Sequence, residues 1–127
     1  MNKDNSTFHQ TNPVTIPTDD GKLIEEHFGI ASRGGSAVSI ARMVAPPGWS
    51  EPPQTPDFDE YTLVCRGRKQ VILPDGPVTL EAGQSLHVAA GVRVQYANPF
   101  AEEVEYWSVC IPAFTPDGVN REHPTVS

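Results

Sequence analysis

Residues 60–99 read EYTLVCRGRKQVILPDGPVTLEAGQSLHVAAGVRVQYANP. Glu60 to Cys65 is β-branched and aromatic, which favours a strand. Arg66-Gly67-Arg68 turns it back into Lys69–Leu73, and Pro74-Asp75-Gly76-Pro77 is a strong turn signal. Val78 to Leu80 is a short strand, and Glu81-Ala82-Gly83 turns again. Ser85 to Ala89 forms the next strand before Ala90-Gly91. Val92 to Ala97 then alternates as VRVQYA until Asn98-Pro99 closes it. Short strands at close spacing, separated by turn chemistry, predict an all-β sandwich or barrel.

The flanks extend the same pattern. Ala37 to Ala45 has period two, with Val38, Ile40 and Val44 on one face and Arg42 among them. Pro46-Pro47-Gly48 ends that run, and Trp49 to Asp59 is a proline-studded loop that no central strand tolerates. Lys22 to Ile30 reads as a short strand, Arg33-Gly34-Gly35 as a tight turn, and Glu103 to Ile111 as the last strand. Prolines recur from Pro13 to Pro124, so little or no helix is expected. The expected division is an N-terminal arm over residues 1–20, a barrel over 21–112 and an irregular tail over 113–127.

Composition narrows the partners. At 127 residues the chain is expected to be one domain. Its 9 basic residues are scattered among 16 acidic ones, for a net charge of −7, which speaks against nucleic acid. No apolar run reaches membrane-span length, and Met1 to Thr15 has no apolar core of a secretory signal. Cys65 and Cys110 sit in apolar runs and read as buried free thiols. A cytoplasmic protein is expected.

Two spacings carry a resemblance. Gly48 is followed by five residues, Gln54-Thr55-Pro56, three residues, Glu60, six residues and Gly67. Gly83 is followed by five residues, Ala89-Ala90-Gly91, two residues, Val94, three residues and Asn98. Both spacings match the two motifs of the cupin superfamily, which this chain resembles. The resemblance implies a double-stranded β-helix, the jelly-roll barrel. In that family three histidines and a glutamate of these motifs hold a divalent metal. Here the histidine positions carry Gln54, Pro56 and Val94, and only Glu60 keeps its identity. Proline and valine offer no side-chain donor, and glutamine offers a neutral carbonyl oxygen. No metal is therefore assigned, and the cofactor stays unknown. A relocated site on Gln54, Glu60 and His87 requires His87 to point inward; the alternative is a strand histidine hydrogen-bonded to a neighbour.

The family direction of Glu60 puts Thr62 and Val64 inside with it, and Tyr61, Leu63 and Cys65 outside. Val94, Tyr96 and Asn98 share one face. Glu60 is the candidate general acid or base. Gln54, Arg42, Tyr96, His87, Thr62, Val94 and Trp49 are the candidate ligand contacts. Arg42, placed on an apolar face, would pair with Glu60 or with an anionic ligand, the alternative being a rim position that reaches solvent.

The reading that follows is a small barrel binding a small organic molecule. Its chemistry would be metal-independent isomerisation, epimerisation, cyclisation or elimination through Glu60. A non-catalytic ligand-binding or sensory barrel is the alternative, and a metal-dependent oxygenase or isomerase with relocated ligands is the second. The resemblance also implies a homodimer.

Overall fold

The computed structural model describes residues 6–33 and 35–122. The first five residues of the arm, Gly34 of the expected turn and residues 123–127 of the tail lie outside the described residues. The described chain is almost entirely β, as expected. Its strands are β1 (Val14–Thr15), β2 (Leu23–Phe28), β3 (Ser39–Ala45), β4 (Asp59–Arg66), β5 (Arg68–Leu73), β6 (Gly76–Glu81), β7 (Ser85–Val88), β8 (Gln95–Ala97) and β9 (Val104–Ile111). One four-residue helix, α1 (Ile30–Arg33), follows β2. Among the described residues no helix is long and apolar enough to cross a membrane.

The strands form a six-stranded sheet, ordered β1-β2-β3-β9-β4-β7, and a three-stranded sheet, ordered β6-β5-β8. Each neighbouring pair is antiparallel. Ala45, Val64, Val88 and Tyr106 from the larger sheet pack with Val71, Leu80 and Tyr96 from the smaller one. This apolar layer fills one end of the space between the sheets and leaves the other end open. Alternation holds along β4, where Glu60, Thr62 and Val64 are buried and Tyr61, Leu63 and Cys65 are exposed.

Two expectations about side-chain direction are corrected. On β3 the buried residues are Ser39, Ala41 and Ala45, not Val38, Ile40 and Val44. The small side chains turn inward because the sheet must leave room beneath them, and the branched ones cover the outer surface. Cys65 is exposed rather than packed, while Cys110 is buried; both are free.

The motif glycines act through backbone conformation. Gly67 has φ of 79°, and a β-carbon there would lie 2.4 Å from the carbonyl oxygen of Glu103. It sits where β4 slips register against β9 between Val64 and Arg66, so the corner tolerates no side chain.

Both flanks join the barrel. β1 pairs with β2. The tail folds back: Ala113 and Val119 are buried, and Val119 packs with Phe58 and Cys110. Asn120 and Arg121 meet the first motif loop through Thr55 and Gln54.

Candidate functional site

A cavity of about 450 Å³ opens between the sheets. The inner faces of β2, β3 and β9 supply one wall, with Glu60, Lys69 and Tyr96 reaching in from β4, β5 and β8. Residues 16–20 and the tail, through Phe114, Pro116 and Arg121, close the sides.

Glu60 and Lys69 form the polar floor. The Glu60 side chain is 9% exposed. Its Oε1 accepts a hydrogen bond from Tyr96 Oη at 3.1 Å, and its Oε2 one from Ser108 Oγ at 2.5 Å. Lys69 is 1% exposed. Its Nζ lies over two rings, 3.6 Å from the centroid of Tyr106 and 4.1 Å from that of Tyr96. Burial pushes the Lys69 ammonium down to about 7, and the negative charge of Glu60 works against that fall. The same burial, with Glu60 nearby, drives the Tyr96 phenol upward, so Tyr96 stays a proton donor to the carboxylate. Cys110, beside Ser108, is pushed up to about 12 by burial and by Glu60, which keeps it a thiol.

A second polar group stands at the rim. Glu51 pairs with Lys22 at 3.4 Å and with Arg121 at 3.5 Å. Arg121 also donates to Gln54 Oε1 at 3.2 Å. Gln54 is fixed by its backbone, which exchanges hydrogen bonds with Val94 at 2.9 and 2.8 Å. Lys22 lies over the Trp49 ring, whose Nε1 donates to Asp20 at 2.7 Å.

Three of the expected site residues, Glu60, Gln54 and Tyr96, line the cavity. Thr62, Val94 and Trp49 are buried beside it as packing and form no part of its wall. Arg42 and His87 are corrections. Arg42 points outward and pairs with Glu25 at 2.9 Å and Glu105 at 2.6 Å. It follows the outer parity of β3, so neither Glu60 nor a ligand in the barrel is within its reach. His87 stands opposite Tyr61 across the β4–β7 pair, and both face out. Its Nε2 meets Asp59 at 3.0 Å and its ring stacks on Tyr61 with centroids 4.5 Å apart. The relocated set of Gln54, Glu60 and His87 is therefore not assembled.

Three polar residues of the cavity wall were not legible as such. Lys69 shares a strand face with Val71 and Leu73, and Glu26 with Ile24. Ser108 stands between Tyr106 and Cys110. A polar residue on an otherwise apolar face was the available signal.

The model of the cupin domain matches residues 41–112, more than half of the chain. The chain belongs to the cupin family. This cupin is 45% identical over 109 residues to a Myxococcus xanthus protein named endoribonuclease YbeY. The match covers 86% of the chain and 37% of that relative. The chain thus spans little more than a third of the relative's length. In fold, this cupin resembles the polyketide cyclase RemF from Streptomyces resistomycificus (TM-score 0.72, 15% identity, 94% of this chain and 87% of that one). It also resembles a sugar phosphate isomerase of the cupin superfamily from Silicibacter pomeroyi (TM-score 0.62, 19% identity, 76% and 62%).

The residues present do not fit the family's divalent metal. Two of the three histidine positions are Pro56 and Val94, which have no donor atom. Gln54 is engaged by Arg121, a cation. Glu60 is engaged by two hydroxyl donors and faces an ammonium-bearing residue. This arrangement offers protons where a metal site offers lone pairs.

Proposed function

We propose that this cupin binds a small organic molecule in its barrel and moves a proton on it with Glu60 and Lys69. Isomerisation, epimerisation, cyclisation or elimination are the fitting reaction types. The carrying observation is the juxtaposition of a buried carboxylate and a buried amine at the floor of one cavity. A lysine that titrates near neutrality can serve as acid or base at working pH. Glu60 is the complementary group, held in one orientation by Tyr96 and Ser108. Proton transfer between carbon and a fixed pair of this kind needs no metal. The cyclase and isomerase among the structural neighbours agree with a proton-moving barrel, at the level of the fold.

The endoribonuclease name belongs to a relative that this chain matches over 37% of its length. The proposal gives nucleic acid no part, because the net charge is −7 and the cavity wall is mostly acidic among its charged residues. A homodimer through the outer face of the larger sheet is part of the proposal. Tyr61 and Leu63 are exposed there, next to Val109 and Trp107.

The test needs no prior substrate. The purified chain is incubated with a metabolite extract in heavy water, and mass spectrometry follows deuterium entering carbon positions. Incorporation by the wild type that disappears in Glu60→Gln and in Lys69→Met supports the reading. Metabolite binding without incorporation leaves a binding barrel and removes the enzyme.

A further inference from the structure

We infer that Glu26 is an anionic subsite for an ammonium group, so that the molecule held in the barrel is a primary amine. The inference rests on the cavity being the binding site. It goes beyond the proton-moving pair by naming a chemical class of ligand.

The carboxylates on the cavity wall differ in how they are matched. Glu51 has two cations, Lys22 and Arg121. Glu60 has two hydroxyl donors and the charge of Lys69. Asp20 accepts the Trp49 indole and the backbone of Lys22, with the Lys22 charge nearby. Glu26 is 8% exposed and lines the cavity. Its carboxylate accepts one hydrogen bond, from the backbone N–H of Ser32 at 2.8 Å. No ion pair to Glu26 occurs among the described residues. A buried carboxylate with no cation is costly unless something else supplies the charge.

The local structure is shaped to hold that carboxylate. β2 slips register against β3 between Glu26 and Phe28. The next turn contains Gly29 with φ of 146°, where a β-carbon would come within 2.8–3.0 Å of the Glu26 carboxyl atoms. Across the ladder the partner is Ala41, whose small side chain leaves the carboxylate open to the cavity. The neighbouring wall is apolar: Ile24, Ile30 and Ala31. A charged group in an apolar surround selects strongly for its counter-ion. Glu26 and Glu60 lie on strands separated by β3 and β9. That is three strand spacings, roughly 14 Å along the sheet before side chains reach inward. The ligand is therefore held by its ammonium at one side and processed at the other.

The competing role for Glu26 is to hold α1 through Ser32. Glu26→Gln separates the two, because the amide oxygen still accepts the Ser32 N–H while the charge is lost. The probes are benzylamine and benzyl alcohol, alike in size and different in charge, titrated calorimetrically into the full chain. The wild type should prefer the amine by about tenfold, the effect of one charge-assisted pair. Glu26→Gln should bring the two within about twofold, Glu26→Asp should keep a preference, and Glu81→Gln, an exposed carboxylate outside the cavity, should keep it fully. No amine preference in the wild type, or a preference that survives Glu26→Gln, overturns the inference. If Glu26→Gln does not fold, the wild type provides the reading: with glutamate labelled at its carboxyl carbon, the Glu26 resonance, assigned by its loss in Glu26→Asp, should move on benzylamine and not on benzyl alcohol, and a resonance that stays still with both overturns the inference. Amine recognition without deuterium incorporation leaves the subsite standing and removes the proton-moving function. Incorporation into an amine-free metabolite, unchanged by Glu26→Gln, does the reverse.

Discussion

Ser108 Oγ donates to Glu60 Oε2 at 2.5 Å, diagonally across the pairing of β9 with β4. The bond fixes one carboxylate oxygen while Tyr96 fixes the other. Ser108→Ala leaves a buried carboxylate oxygen short of a donor. The expected cost is about 1–3 kcal/mol of stability, measured by urea denaturation. Deuterium incorporation should fall about tenfold, as expected when one orienting bond is lost. Ser108→Thr, which keeps the hydroxyl, should restore most of it. Equal loss in both variants would assign Ser108 to packing.

Lys69 makes stability depend on pH in a defined direction. Its folded-state pKa of about 7 lies below the ordinary lysine value of about 10.4. Between those values the unfolded chain holds more protons than the folded one, so stability rises with pH across that window. The cost of burying the ammonium is fully present below about pH 7 and fades towards about pH 10. The gain from about pH 7 to about pH 9.5 is on the order of 3 kcal/mol. The Tyr96 phenol, raised by burial, turns the curve over once unfolded tyrosine ionises near pH 10. Denaturation curves across this range should show the rise in the wild type and flatten in Lys69→Met. A flat wild-type curve would contradict the buried ammonium.

Chelation should change nothing. Extended dialysis against EDTA is expected to leave the thermal midpoint and deuterium incorporation where they were. The reason is the donor set, in which Pro56 and Val94 stand at two metal-histidine positions. A loss on chelation that added metal restores would sink this expectation.

Arg42 and His87 face away from the cavity, so Arg42→Ala and His87→Ala should leave benzylamine affinity within about twofold. Each exposed ion pair is worth about 1 kcal/mol or less. A large fall in affinity with either variant would mean that the outer surface communicates with the barrel.

The outer apolar row predicts self-association. Light scattering should give a dimer mass for the wild type and a monomer mass for Leu63→Glu, which places a charge among exposed Tyr61 and half-buried Val109 and Trp107. A monomeric wild type would remove the dimer.

The barrel was legible because turns and alternation are local. Gly48, Gly67, Gly83 and Gly91 all have positive φ at the motif corners, and the inward set on β4 followed from the family direction of Glu60 extended by parity. The face of β3 was misread because hydrophobicity is a poor guide beside a cavity. There Ser39 and Ala41 turn inward to leave space, and Ile40, Arg42 and Val44 cover the outside. His87 could not be placed before its register against Tyr61 was known. Lys69 stayed hidden because its partners come from distant strands, and Glu26 because the cavity it faces is closed by β3 and the tail. The Tyr96 and Tyr106 rings meet only when β8 and β9 close around β5.

The way the ends fold back changes what counts as the working unit. The family match stops at residue 112, yet Phe114, Pro116 and Arg121 wall the cavity, as do Ile16 and Lys22 far ahead of residue 41. A fragment cut at the family boundaries would keep the strands that carry Glu60, Lys69 and Ser108 and lose Glu26 with much of the enclosure. Such a fragment is an open shell around the polar floor of Glu60 and Lys69. On the proposed reading, ligand choice in this chain is written largely into the segments that the shared family pattern does not reach.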